Sequence, residues 1–388
     1  MPSIKLPTAV GHIAEYRLRG PKHFPDRTSG RFNRVAYAAA HVVADPLADI
    51  DPWLEVAIDW DRTIAFREHL WDLGLGVAEA MDTAQRGMGL DWNGSLELIR
   101  RSLEAAKARS GALIACGAGT DHLAPSHDLT IDHVIRAYEE QIEAIEAAGG
   151  RIILMASRAL GACARSPDDY ARVYDRILSQ LREPCIIHWL GEMFDPALEG
   201  YFGHRDHMAA MDVCVGIIEA NASKVDGIKL SLLDKDKEIA LCTRLPERVR
   251  MYTGDDFNYP ELIAGDGRRH SDALLGIFDP IAPAASAALT ALAEGRLAEF
   301  HDVLEPTVPF SRHVFKAPTR FYKTGVVFMA WLNGHQDHFV MVGGQESARS
   351  LVHLAELFRL ADAAGLLREP ELAVARMRRV MAVHGVAS

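Results

Sequence analysis
A chain of 388 residues with 49% hydrophobic and 24% charged side chains has the make-up of an ordinary soluble globular protein. Its formal charge of −11 argues against a general affinity for nucleic acid or anionic membranes, and no stretch approaches the roughly 20 apolar residues of a membrane span. The five cysteines, Cys116, Cys163, Cys185, Cys214 and Cys242, are odd in number, widely spaced and without a CxxC pair, which fits a reducing cytoplasm better than a disulfide framework or a zinc-finger site.

Residues 1–33 are polar, are broken by Gly20-Pro21 and Pro25, lack a signal-peptide apolar core, and read as an extension on the outside of the protein. A rhythm then begins. Arg34–Val43 is strand-like and Trp53–Leu73 has helical spacing closed by Gly74. Gly76–Met81 is a second run, Leu96–Arg109 a helix, and Ala112–Cys116 a third run. Ile131–Ala148 is a long helix before the fourth run, Arg151–Met155. Pro167–Gln180 is a helix with Ser166 as its N-cap, followed by Pro184–Trp189 and the helix Met208–Asn221. Val225–Leu233, Val249–Thr253 and Ala273–Phe278 complete eight runs. Apolar strands alternating with helices indicate a parallel sheet covered by helices. Eight such units within about 250 residues favour a closed (β/α)₈ TIM barrel over residues 34–283. From residue 284 to 388 the pattern is all helical, an appendage packed on the barrel rather than an independent domain.

Lys229 stands near the end of the sixth run, behind Gly227. An amine in an apolar strand costs desolvation unless it is neutral or paired, and buried lysines of lowered pKa are those that form Schiff bases. The plain alternative is a lysine that snorkels to solvent. Chemistry in such barrels sits at the C-terminal ends of the strands. Reading those ends gives His41, then Glu79, Asp82 and Thr83, then Asp121 and His122, then Ser157 and Arg158, His188, Lys229, and Asp255 with Asp256. Several of these have structural readings as well: His188 as a core histidine, Asp121 and His122 as turn caps, Asp255 and Asp256 as loop holders. Glu79, Asp121, His188 and Asp255 also admit a rival, a divalent metal in an isomerase or hydrolase barrel, though no compact HxH or HExxH supports it. A third reading is a metabolite-binding barrel without turnover.

The tripeptide Gly227-Ile228-Lys229 on the sixth strand, His188 at the end of the fifth, Gly254-Asp255-Asp256 after the seventh and several C-terminal helices together resemble the dihydrodipicolinate synthase and N-acetylneuraminate lyase superfamily, over roughly residues 34–368. The resemblance implies that Lys229 is the Schiff-base lysine of a class I aldolase, lyase or hydro-lyase that needs no cofactor, works on a small carbonyl compound in the cytoplasm and forms a homo-oligomer. The family's Gly-Thr-Thr-Gly-Glu loop after strand two is absent, and Glu79-Ala80-Met81-Asp82-Thr83 stands there. His188 occupies the place of the family's proton-shuttling tyrosine, and the strand-one Thr-Pro pair is replaced around His41. The expected substrate is therefore a neutral, polyhydroxylated, sugar-derived carbonyl compound held by His41, Glu79, Asp82, Thr83, Asp121, His122, Asp255 and Asp256. Arg86 or Arg158 would oppose that expectation by supplying a carboxylate clamp.

Overall fold
The first strands lie outside the barrel: β1 (Ser3–Pro7) and β2 (Ile13–Arg17) form an antiparallel hairpin. Each of the eight apolar runs then yields one strand: β3 (Ala36–Ala39), β4 (Gly76–Glu79), β5 (Ile114–Ala118), β6 (Ile152–Met155), β7 (Cys185–Leu190), β8 (Val225–Ser231), β9 (Arg250–Thr253) and β10 (Asp272–Leu275). In this computed structural model all eight are parallel and close in the order β10-β3-β4-β5-β6-β7-β8-β9, a (β/α)₈ barrel. The structure describes residues 1–28 and 30–386; Ser29, which belongs to the expected N-terminal extension, and Ala387 and Ser388, in the expected C-terminal region, lie outside the described residues.

Side chains alternate across the sheet, so each strand feeds two cores. Tyr37, Ala39, Ala78, Ala115, Ile153, Ile186, Tyr252 and Leu274 fill the barrel interior. Val77, Cys116, Leu154, Ile187, Ile228 and Leu275 face the surrounding helices. Two tyrosines in one narrow interior need space beside them. A Cβ at Gly227 would lie 2.6 Å from the Tyr252 ring and 2.7 Å from the Arg250 carbonyl oxygen, and one at Gly76 would lie 2.7 Å from the Tyr37 ring. The glycine two residues before Lys229 is therefore a packing requirement.

The helices start where side-chain caps allow. Asp59 accepts from the Arg62 amide, so the first helix is Trp60–Asp72. Residues 45–57, the start of the expected Trp53–Leu73 helix among them, instead form a loop whose neck is closed by an Ala44–Ile58 bridge, just before the Asp59 cap. Ser166 and Asp169 form a capping box at Pro167–Gln180. Lys235–Arg244 and Tyr259–Ala264 are helices that the pattern did not announce. Ala282–Ala293 closes the helical ring beside the first helix, with Ser286 Oγ donating to the Leu73 carbonyl.

The remaining helices are Leu297–Leu304, Val308–Val314, Tyr322–Leu332, Leu351–Ala363 and Pro370–Val383. Every residue of Tyr322–Leu332 is buried, which makes it the axis of the C-terminal region. The N-terminal hairpin packs against the same region. The Tyr16 hydroxyl donates to the buried Asp362 carboxylate at 2.7 Å, and the Arg19 amide donates to it at 2.9 Å. No helix among the described residues is long and apolar enough to cross a membrane.

Candidate active site
Register decides which polar strand residues enter the barrel. His188 on β7 pairs with Lys229 on β8, in line with the interior residue Ile186 two positions earlier. Alternation therefore sends His188, Lys229 and Ser231 inward on two adjacent strands. His188 Nε2 and Ser231 Oγ are 3.2 Å apart, and His188 Nδ1 is buried without a partner among the described residues. Gly254 leaves room for Ser231, since a Cβ there would lie 2.4 Å from its Oγ.

Lys229 is buried, and no hydrogen bond or ion pair of its amine is found among the described residues. Burial lowers its pKa, opposed by the negative charges of Asp256 and Asp82. Burial likewise pushes Asp256 up to about 7, despite Lys229 and an amide donated by Ile277 at 2.8 Å. Desolvation thus disfavours the ionised form of both groups, and the gap between ammonium and carboxylate narrows near neutral pH. His188 falls well below its ordinary value because it is buried and next to Lys229. It rests as neutral imidazole, a weakened base whose imidazolium, once formed, gives up its proton readily.

The loop after β4 supplies a further wall. Asp82 is half-buried, and Thr83 Oγ1 lies 2.7 Å from the Tyr322 hydroxyl. Tyr322 stacks on Phe315 with ring centroids 4.4 Å apart, and burial followed by the Asp82 charge raises its pKa well above the usual phenol range. Lys323 is also buried and is brought down to about 8, chiefly by burial, with Asp82 opposing. Neither Tyr322 nor Lys323 was singled out from sequence. Their signal was a polar pair at the start of an otherwise apolar helix.

Other expected residues are occupied elsewhere. Glu79 lies outside the mouth. It follows the inward Ala78, so it points to the helix layer, where Arg67 donates to both its oxygens at 2.9 Å and the Ala80 amide donates at 2.8 Å. Both members of that pair are fully buried. His41 is buried against Phe66, its backbone amide and Nδ1 both 2.8 Å from Asp279 Oδ2, and it ties the ends of β3 and β10 together. Asp121 accepts from Arg86 at 2.6 Å and from Gln141 at 3.0 Å. Burial raises its pKa, but Arg86 and these bonds prevail and the net shift is down. His122 sits on the outer side of the same loop, between Gln141 and Glu140. Asp255 caps its own turn, accepting from the Phe257 amide and from both nitrogens of Asn258. Lys229, His188, Asp82, Thr83 and Asp256 are therefore brought together, and His41, Glu79, Asp121, His122 and Asp255 are not. The rival metal set of Glu79, Asp121, His188 and Asp255 does not converge: among the described residues no three His, Cys, Asp or Glu side chains come close enough to share an ion.

The family model described as "Protein of unknown function (DUF993)" matches residues 4–386. The chain belongs to the DUF993 family. No curated protein sequence matches this DUF993 chain. Solved structures do match its fold. A prophage protein of the dihydrodipicolinic acid synthase family from E. coli K12, in complex with pyruvate, superposes with a TM-score of 0.65 at 13% identity over 86% of this chain and 99% of its own. Dihydrodipicolinate synthase from Acinetobacter baumannii, also complexed with pyruvate, gives 0.60 at 16% identity, with 86% and 99% covered. The synthase from Aquifex aeolicus gives 0.60 at 11% identity, with 91% and 98% covered. At these identities the likeness establishes for DUF993 the barrel with its C-terminal helices.

Proposed function
We propose that this protein is a class I aldolase, lyase or hydro-lyase that forms a Schiff base between Lys229 and a small, sugar-derived carbonyl compound. The observation that carries this reading is the Lys229 amine: buried, without a hydrogen-bond or ion-pair partner among the described residues, paired in register with His188 on the adjacent strand and within the field of Asp256. Free amine at neutral pH is what attack on a carbonyl carbon requires. Attack forms the C–N bond of a carbinolamine. Asp256, protonated up to about pH 7, gives its proton to the departing hydroxyl, and water and the iminium result. The iminium withdraws electrons from the neighbouring carbon, so a C–C or C–O bond β to it breaks. His188, with Ser231 at 3.2 Å, accepts the proton released and returns it before hydrolysis frees the amine.

The polyhydroxylated substrate is supported by the acceptors that remain at the mouth. Asp82 and the Thr83–Tyr322 pair offer oxygens to hydroxyl donors. Self-association is part of the same proposal: Leu47, Trp53, Leu54 and Val56 are exposed on one loop beside the barrel, and a clustered apolar surface favours protein contact. Sedimentation equilibrium would return a monomer mass if that part is wrong. The enzyme reading is tested by borohydride reduction in the presence of pyruvate, 2-oxo-3-deoxy sugar acids, keto-sugars and aldoses. The expected product is an irreversibly inactivated protein carrying one substrate mass on Lys229. A folded Lys229→Ala variant that keeps full turnover refutes it.

A further inference from the structure
Two arginines stand near the mouth, and the structure uses them differently. Arg86 is buried with both terminal nitrogens taken: Nη1 donates to the Ala80 and Gly117 carbonyls, and Nη2 to Asp121 and Gln141, leaving only Nε, itself buried, without a partner among the described residues. Arg158, after β6, makes a single bond, from Nε to Asp195. Among the described residues its two terminal nitrogens have no partner. Asp195 is itself fixed, with its side chain only 14% exposed and Oδ1 accepting from the Ala197 amide at 3.1 Å. One carboxylate therefore holds the guanidinium by its side and leaves the two-nitrogen end free, the geometry that receives a carboxylate or phosphate through two parallel bonds. Gly87 sits close to the guanidinium, where a Cβ would lie 3.2 Å from Arg158 Nη1.

Arg158 and Asp195 line a cleft together with Asp82, Gly87, Thr120 and Leu190. Asp82 also acts on Lys229, and Leu190 follows His188 by two residues on the same face of β7. The cleft and the Lys229 site therefore share a wall. Lys323 adds a second cation beside it, donating to the Arg320 carbonyl at 3.1 Å and contacting Met88 Sδ at 3.2 Å, with one N–H to spare. We infer that Arg158, oriented by Asp195, binds an anionic group on the substrate, a carboxylate or a phosphate, so that the compound handled at Lys229 is a sugar acid or sugar phosphate. The inference rests on the Schiff-base reading and narrows its substrate class.

Its test uses the intact protein and two probes, inorganic phosphate and malonate, titrated calorimetrically. Wild type and Lys229→Ala should both bind one of the probes, and which one distinguishes phosphate from carboxylate. Arg158→Gln should weaken that binding by about 10–100-fold, the range for losing charge-assisted bonds, and Asp195→Asn should weaken it less. Asp195→Asn also serves as the second variant should Arg158→Gln fail a thermal-melt check of folding. Absence of binding to wild type by either probe, or equal binding by a folded Arg158→Gln, overturns the inference. Failure of the Schiff-base reading is seen separately, as borohydride leaving no adduct on wild type while Arg158-dependent anion binding persists.

Discussion

Asp256→Asn should make the protein more stable and less active, and the size of the first effect follows from the site. Asp256 is 3% exposed, and burial takes its pKa from 3.8 to about 7. A carboxyl that holds its proton more tightly when folded contributes stability fully present below its unfolded value and lost as pH rises through the folded one. Between about pH 4 and 7 the wild type therefore loses roughly 1.4 kcal/mol per pH unit from this group, about 4 kcal/mol in all. Asparagine has the shape of the protonated acid and does not titrate. The variant should match wild type near pH 4 and exceed it by up to about 4 kcal/mol at pH 8. The gain is capped there because removing the carboxylate also removes a field that helps keep a proton on Lys229. Urea unfolding of both proteins at pH 4, 5, 6, 7 and 8 measures the difference, and borohydride trapping reads the chemistry, which should slow because no acid remains to protonate the leaving hydroxyl. Parallel stability profiles over that range would refute the reasoning, for they would mean that Asp256 is ionised throughout.

Breaking the buried Arg67–Glu79 pair with Arg67→Met should cost about 3–5 kcal/mol by stranding a buried carboxylate; denaturant melts report it, and loss of trapping at unchanged stability would instead mark Glu79 as part of the site. His188→Asn should leave iminium formation largely intact and slow turnover by roughly 10²–10⁴-fold, with loss of trapping itself as the contrary result. Gly227→Ala should destabilise by about 1–3 kcal/mol as the new methyl meets the Tyr252 ring and the Arg250 carbonyl, and a variant as stable as wild type would show that the barrel interior yields there.

The barrel was legible because its strands are buried on both faces and so read as continuous apolar runs, from Arg34–Val43 to Ala273–Phe278. Lys229 was legible for the same reason, as an amine interrupting such a run. Glu79 misled because sequence position says that a residue is at a strand end, whereas the phase of alternation decides where it points. Beyond it Ala80 takes φ 53°, a left-handed turn that resets the alternation and leaves the orientation of Asp82 and Thr83 unreadable from pattern. Tyr322 lies 239 residues from Thr83, so no local periodicity could join them. The helix Lys235–Arg244 was missed because its composition is strongly polar, and what starts it is the cap from Asp234 to two backbone amides.

The contact between Thr83 and Tyr322 bears on how this protein is made. Synthesis runs from the N-terminus, and all eight strands have emerged by Leu275, some fifty residues before Tyr322 and Lys323. A ribosome-bound chain can therefore close its cylinder while the mouth is still missing one side. Only when Tyr322–Leu332 docks do Thr83 and Asp82 acquire their final neighbours. The Asp362 anchor for Tyr16 and Arg19 is made later still and fastens the hairpin, made well before the barrel, to a helix that follows it by more than 300 residues. Chains cut short before the docking helix would thus carry a barrel whose mouth lacks one side, and the surroundings of Lys229 are complete only once Tyr322–Leu332 has been made and has docked.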